Sequence, residues 1–144
     1  MEITVVSDES WQCAPSPVLE SSIYDGEVYD ARLEQEDFGT VRASFSGQAV
    51  KVEGPKAPVQ DRLSPPLIIT QRIKPVEVIK TPAGETVLDF GQEITGWTEF
   101  LCREEEGKEI RLQHGEVLQK GNFYRDNLRS AKAELRYISN GKEK

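Results

Sequence analysis

The sequence is poor in the residues that carry most metal and redox chemistry. It has one histidine, two cysteines and one methionine in 144 residues. Cys13 and Cys102 have no CxxC spacing, and two cysteines do not make a disulfide scaffold. A single histidine argues against a Cys/His zinc site. There is no GxSxG elbow to anchor a nucleophilic triad, and no glycine-rich phosphate loop, since Gly121 stands alone. No apolar run reaches the roughly 18 residues of a membrane helix, so no membrane partner is expected. Lys and Arg number 18 against 25 Asp and Glu, a formal net charge of -7. A nucleic-acid binder normally presents a basic face, so no nucleic-acid partner is expected either. Met1 is followed by Glu2 and the short apolar run Ile3–Val6, without the basic start of a signal peptide. A cytoplasmic location is the resulting expectation.

What is present describes a folded chain. Leu, Ile, Val and Phe together make 36 of the 144 residues, about a quarter, whereas disordered chains usually fall below about 20%. The length suits one ordinary domain or two small ones. The excess charge is confined to one end. Residues 1–60 hold 11 acids and 4 bases, while residues 61–144 hold 14 of each. Gly54, Pro55, Pro58, Pro65 and Pro66 interrupt regular structure between the two regions. A boundary near residues 55–65 follows, giving units 1–60 and 61–144.

Short strands dominate the pattern. Ile3–Val6 reads as a strand, followed by an irregular stretch from Ser7 to Glu20. Val41–Phe45 and Ala49–Val52 flank Ser46-Gly47-Gln48, which has the composition of a hairpin turn. Further strands are expected over Leu67–Lys74, Val76–Lys80, Thr86–Phe90, Gly96–Arg103, Glu109–Val117 and Lys132–Ile138. In Glu109–Val117, Ile110, Leu112 and His114 share one face and Arg111 and Gln113 the other, the period of a half-buried strand. Thr81-Pro82-Ala83-Gly84 reads as a turn, and Glu104–Lys108 as a hairpin loop. No window of eleven or more residues has a helical period. The fold class is all-β, an antiparallel β-sandwich.

Four groups of residues are candidates for chemistry. Trp11, Tyr24, Asp25 and Glu27 suit a sugar, because aromatic faces stack on its CH patches and carboxylates accept from its hydroxyls. Asp25, Glu27 and Asp30 are also oxygen ligands of the kind Ca²⁺ prefers, although no EF-hand spacing is present. The alternative is that the tyrosines pack inward and the acids are solvated or paired with Arg32. Paired carboxylates of the sort a glycosidase needs cannot be picked out among 25 acids. His114 and Glu116 lie near a strand end, where a hydrogen-bonded histidine and a salt bridge are the plain expectations. The segment from Gly121 to Lys132 is dense in donors, namely Asn122, Arg125, Asn127, Arg129 and Lys132. It suits docking of a neighbouring domain, with His114 and Glu116 beside it.

The run Ser22-Ile23-Tyr24-Asp25-Gly26-Glu27-Val28-Tyr29-Asp30-Ala31-Arg32 resembles a signature near the end of the N-terminal sandwich domain of bacterial α-L-rhamnosidases, glycoside hydrolase family 78. Pro75-Val76 through Gly84, Val87-Leu88-Asp89-Phe90-Gly91-Gln92 and Gly96-Trp97 are similar to the start of the family's next domain. His114-Gly115-Glu116-Val117-Leu118, Gly121-Asn122-Phe123-Tyr124 and Asn127-Leu128-Arg129-Ser130-Ala131-Lys132-Ala133 complete an ordered series over about residues 11–138. Glu93, Glu134 and Leu135 depart from the family pattern, and the stretch after Arg32 lacks the family's second tryptophan. The resemblance implies that residues 1–60 are the C-terminal part of the N-terminal β-sandwich and that residues 61–144 are a truncated concanavalin-like (jelly-roll) β-sandwich. It implies a parent enzyme that hydrolyses terminal α-L-rhamnose with inversion, in an (α/α)₆ barrel that this chain does not contain. The partners it implies are that barrel and rhamnose-containing glycans. No catalytic residue, cofactor or metal ligand is carried over, with Ca²⁺ the one ion the acids would suit. A free-standing carbohydrate-binding module is the alternative reading.

Overall fold

The computed structural model describes residues 3–54 and 56–143. Met1, Glu2 and Pro55, used above for the chain start and the boundary, lie outside the described residues. The chain is all-β, as the strand spacing predicts. No helix among the described residues is long and apolar enough to cross a membrane. Two compact units divide it: residues 1–16 with 35–68, and residues 17–34 with 69–144. Residues 56–65 fall inside the first unit, and the tyrosine-bearing segment 17–34 belongs to the second.

The first unit has little regular structure. β1 (Gln12–Cys13) pairs with β4 (Gly47–Gln48), an antiparallel ladder with Cys13 opposite Gly47. The expected turn at Ser46-Gly47-Gln48 is therefore a strand. Gly47 permits it, because a Cβ there would stand 2.7 Å from the Cys13 carbonyl oxygen. Ile3–Val6, Val41–Phe45, Ala49–Val52 and Leu67–Lys74, all expected as strands, form no ladder. Their apolar side chains have no sheet face to cover, and β propensity alone does not hold a strand.

The second unit is built on a four-stranded sheet in the order β2 (Val18–Ser22), β3 (Gly26–Asp30), β10 (Glu134–Ile138), β7 (Glu109–Gln113). β3 and β10 run parallel and the other two pairs antiparallel. The register sorts the side chains. Tyr29, Tyr137 and Ile110 lie abreast, as do Leu135 and Leu112, and these form the apolar face. Tyr29 and Tyr137 stack 5.8 Å apart, and Phe100 meets Tyr137 edge-on at 5.5 Å. Ala31 and Cys102 are the apolar residues most completely buried. The segment 96–103, expected as a strand, makes no ladder, yet it delivers Phe100 to this core and buries Cys102. The opposite face carries Gly26, Val28, Glu134, Arg136, Gln113 and Arg111, as the alternation in β7 predicts.

Two hairpins complete the unit. β5 (Glu77–Lys80) pairs with β6 (Thr86–Asp89) around the expected Thr81–Gly84 turn. β8 (Val117–Gln119) pairs with β9 (Asn122–Tyr124), a hairpin the sequence reading missed. The expected strand Glu109–Val117 is thus two strands, with a break at His114–Glu116.

Candidate functional site

The polar face of the four-stranded sheet holds a shallow cleft of about 130 Å³. Glu20, Ser22, Asp25, Lys132, Glu134 and Arg136 are among its lining. Gly26 forms its floor. Its φ is +98°, and a Cβ there would sit 2.0 Å from the Glu134 carbonyl oxygen. Only glycine lets β3 approach β10 this closely. The loop before β10 is tied to the loop before β3 by three backbone donors: Ala133 N to Tyr24 O at 2.9 Å, Glu134 N to Asp25 O at 3.0 Å, and Lys132 N to the Asp25 carboxylate at 3.2 Å.

Glu134 is the chemical centre of this face. Its side chain is 9% exposed. It accepts from Arg111 at 2.5 Å and from the Gln113 amide at 2.9 Å. Burial pushes its pKa upward, but the Gln113 and Arg111 bonds and the Arg111 and Arg125 charges outweigh that and hold it below the usual range. Nearby, Arg136 donates to Glu109 at 2.7 Å, which lowers the Glu109 pKa.

The structure brings some of the sequence candidates together and separates others. Asp25, Glu27 and Lys132 share the cleft. Tyr24 stands next to it with 69% of its surface exposed. Trp11 lies in the first compact unit, where its indole donates to the Val6 carbonyl at 3.2 Å. Asp30 is buried and held by Arg32 at 2.7 and 2.9 Å, the pairing weighed from the sequence. Among the described residues no group of three or more His, Cys, Asp or Glu is arranged to hold a metal.

The docking candidates are largely engaged within the unit. His114 Nδ1 is 3.1 Å from the Ala133 carbonyl, and Nε2 is 3.4 Å from Thr98 Oγ1. Asn127 donates to Glu116 at 3.1 Å. Asn122 accepts from Ala83 N at 2.9 Å, stapling β9 to the 81–84 turn. Glu85 completes that staple, accepting from Phe123 N at 3.0 Å and Thr81 Oγ1 at 2.7 Å. Arg125 keeps a buried Nε without an acceptor. Arg129 has φ +57°, a conformation non-glycine residues rarely adopt.

Sequence reasoning passed over Glu134, Arg111, Gln113 and Glu85 as site residues. The signal for the first three was their shared parity on two strands, usable only once the register is known. A larger cavity of about 220 Å³ lies in the first unit, lined wholly by residues of the 35–45 loop. None of the sequence candidates reaches it.

Gly26 and Tyr29, which carry the close strand contact and one ring of the stack, lie in the Ser22–Arg32 motif. The model of the α-L-rhamnosidase N-terminal domain matches residues 1–71, and that of the bacterial α-L-rhamnosidase concanavalin-like domain matches residues 79–144. The chain belongs to the bacterial α-L-rhamnosidase family. An α-L-rhamnosidase of Streptomyces avermitilis is 31% identical over 143 residues, 95% of this chain and 14% of that protein. The structure of the α-L-rhamnosidase from Dictyoglumus thermophilum superposes with a TM-score of 0.86 at 36% identity, over 96% of this chain and 16% of that one. The Streptomyces avermitilis α-L-rhamnosidase complexed with L-rhamnose gives 0.88 at 29% identity, over 97% and 14%. The chain therefore spans about a seventh of the length of these rhamnosidases. The two rhamnosidase domain models meet between residues 71 and 79, whereas the compact units interleave, because segment 17–34 supplies two strands to the second.

Proposed function

We propose that this chain is an accessory, non-catalytic β-sandwich portion of an α-L-rhamnosidase, which supports and docks an (α/α)₆ barrel that hydrolyses terminal α-L-rhamnose. The observation that carries this reading is the apolar surface of the second unit. Ile94, Trp97 and Leu101 are 50%, 67% and 56% exposed, and Val117 and Leu118 are 47% and 42% exposed. A contiguous exposed apolar patch marks an interaction site, whereas single exposed apolar side chains are ordinary. The test is hydrolysis of p-nitrophenyl α-L-rhamnoside by the 144-residue chain. No turnover above buffer is expected, and turnover comparable to that of a full-length family member would overturn the reading.

The cleft favours a second reading, a rhamnose-binding module. Asp25, Glu20, Lys132 and Arg136 offer acceptors and donors beside the exposed Tyr24 ring. Calorimetric titration with L-rhamnose, with and without Ca²⁺, decides it, and absence of heat at millimolar sugar sinks it.

A further inference from the structure

Asn140 and Gly141 form the one Asn-Gly pair in the sequence. Glycine puts no side chain in the way of its own backbone nitrogen, so that nitrogen readily attacks the preceding side-chain amide. In the fold both groups of that reaction are engaged in other hydrogen bonds. The Gly141 N–H donates to Ser139 Oγ at 3.0 Å. The Asn140 amide oxygen accepts from Lys142 N at 3.0 Å. Its Nδ2 faces the Ala31 carbonyl and the Glu34 carboxylate, each at 3.4 Å. Ser139 itself is fully buried. Its hydroxyl donates to the Glu104 carbonyl at 2.8 Å, and its backbone is bonded to Lys108 and Gly107.

We propose that Asn140–Gly141 is a self-modifying site gated by this clasp, silent while the end of β10 is seated and reactive when it opens. In the open state the Gly141 nitrogen loses its proton to solvent base and bonds to Asn140 Cγ. The Cγ–Nδ2 bond breaks and ammonia leaves, giving a succinimide. Water then opens the ring to aspartate or isoaspartate. The product carries a carboxylate where the amide had faced Glu34, whose other oxygen accepts from the Tyr29 hydroxyl at 2.9 Å. The new charge meets one of like sign, so the clasp does not close again with the same bonds. An opening of the strand end is thereby recorded in the covalent chain.

The test follows deamidation of residue 140 by peptide mass in the intact chain at mildly alkaline pH, native and in denaturant. The native rate should be slower by about tenfold or more, a ratio set by how rarely the segment opens. Ser139→Ala should raise the native rate and leave the denatured rate alone, with circular dichroism showing whether that variant is folded. Asn140→Asp should lower the urea midpoint. Equal native and denatured rates in the unmutated chain would overturn the proposal whatever the variants do. An unchanged midpoint for Asn140→Asp would overturn its account of the product.

Discussion

Gly26 and Glu134 lie directly opposite each other on parallel strands, so close that a Cβ on Gly26 would stand 2.0 Å from the Glu134 carbonyl oxygen. Segments 108 positions apart in the chain meet there, and the contact sets the register of the central strand pair.

Gly26→Ala should therefore be among the most damaging single changes. It combines a left-handed φ with a backbone clash, each costing about 1–3 kcal/mol. The expected loss is about 2–5 kcal/mol, read from the urea unfolding midpoint. Gly54→Ala is the control, since nothing lies within 4 Å of its added methyl and its φ is not left-handed, and it should be near neutral.

Acid should destabilise the second unit. Asp30, Glu85, Glu109 and Glu134 have folded pKa values below their ordinary ones of 3.8 for Asp and 4.5 for Glu. As pH falls, the unfolded chain takes up protons first. The stability these groups contribute is complete above those ordinary values and is lost as pH falls through the lower folded ones. Urea midpoints should be flat down to about pH 5 and decline below it. Glu134→Gln should flatten part of that decline, and an identical acid limb in the variant would contradict the role given to Glu134.

Alkali should act through Tyr29. Burial, then the bond to Glu34, raise its pKa from 10.0 to about 12. A raised value has the opposite sign. Its contribution is complete below pH 10.0 and is lost as pH rises toward 12. Tyrosinate absorbance should include a late-titrating step from Tyr29. Tyr29→Phe should remove that late step, and an unchanged late step in the variant would refute it.

Residues 17–34 should prove essential to the second unit. They supply β2 and β3, half of its central sheet. A chain starting at residue 69 should show no cooperative urea transition, whereas one starting at residue 17 should keep it. A cooperative transition in the shorter chain would show that the β7–β10 pair holds without its neighbours.

Local pattern made part of this legible. Turn residues at Thr81–Gly84 between β-prone runs marked the β5–β6 hairpin, and the alternation in Glu109–Gln113 sorted Ile110 and Leu112 from Arg111 and Gln113. Other elements left little local trace. Val18–Ser22 is an edge strand exposed along its whole length, so it shows no alternation. Asn122–Tyr124 is too short to have a period. The site was half visible. Asp25, Glu27 and Lys132 were singled out by residue type, while Glu134 was noted only as a departure from the family pattern.

The sequence by itself determined the fold class and the family, because both rest on residue types in a fixed order along the chain. The tertiary structure alone decided which segment belongs to which unit and which residues meet. Parallel pairing of β3 with β10 joins residues 26–30 to residues 134–138, and no local preference encodes a partner that distant. The long-range backbone bonds and a glycine without a side chain bring them together. The cleft, the pairing of the buried Glu134 carboxylate with Arg111 and the seat of Asn140 beside Glu34 all follow from that one alignment.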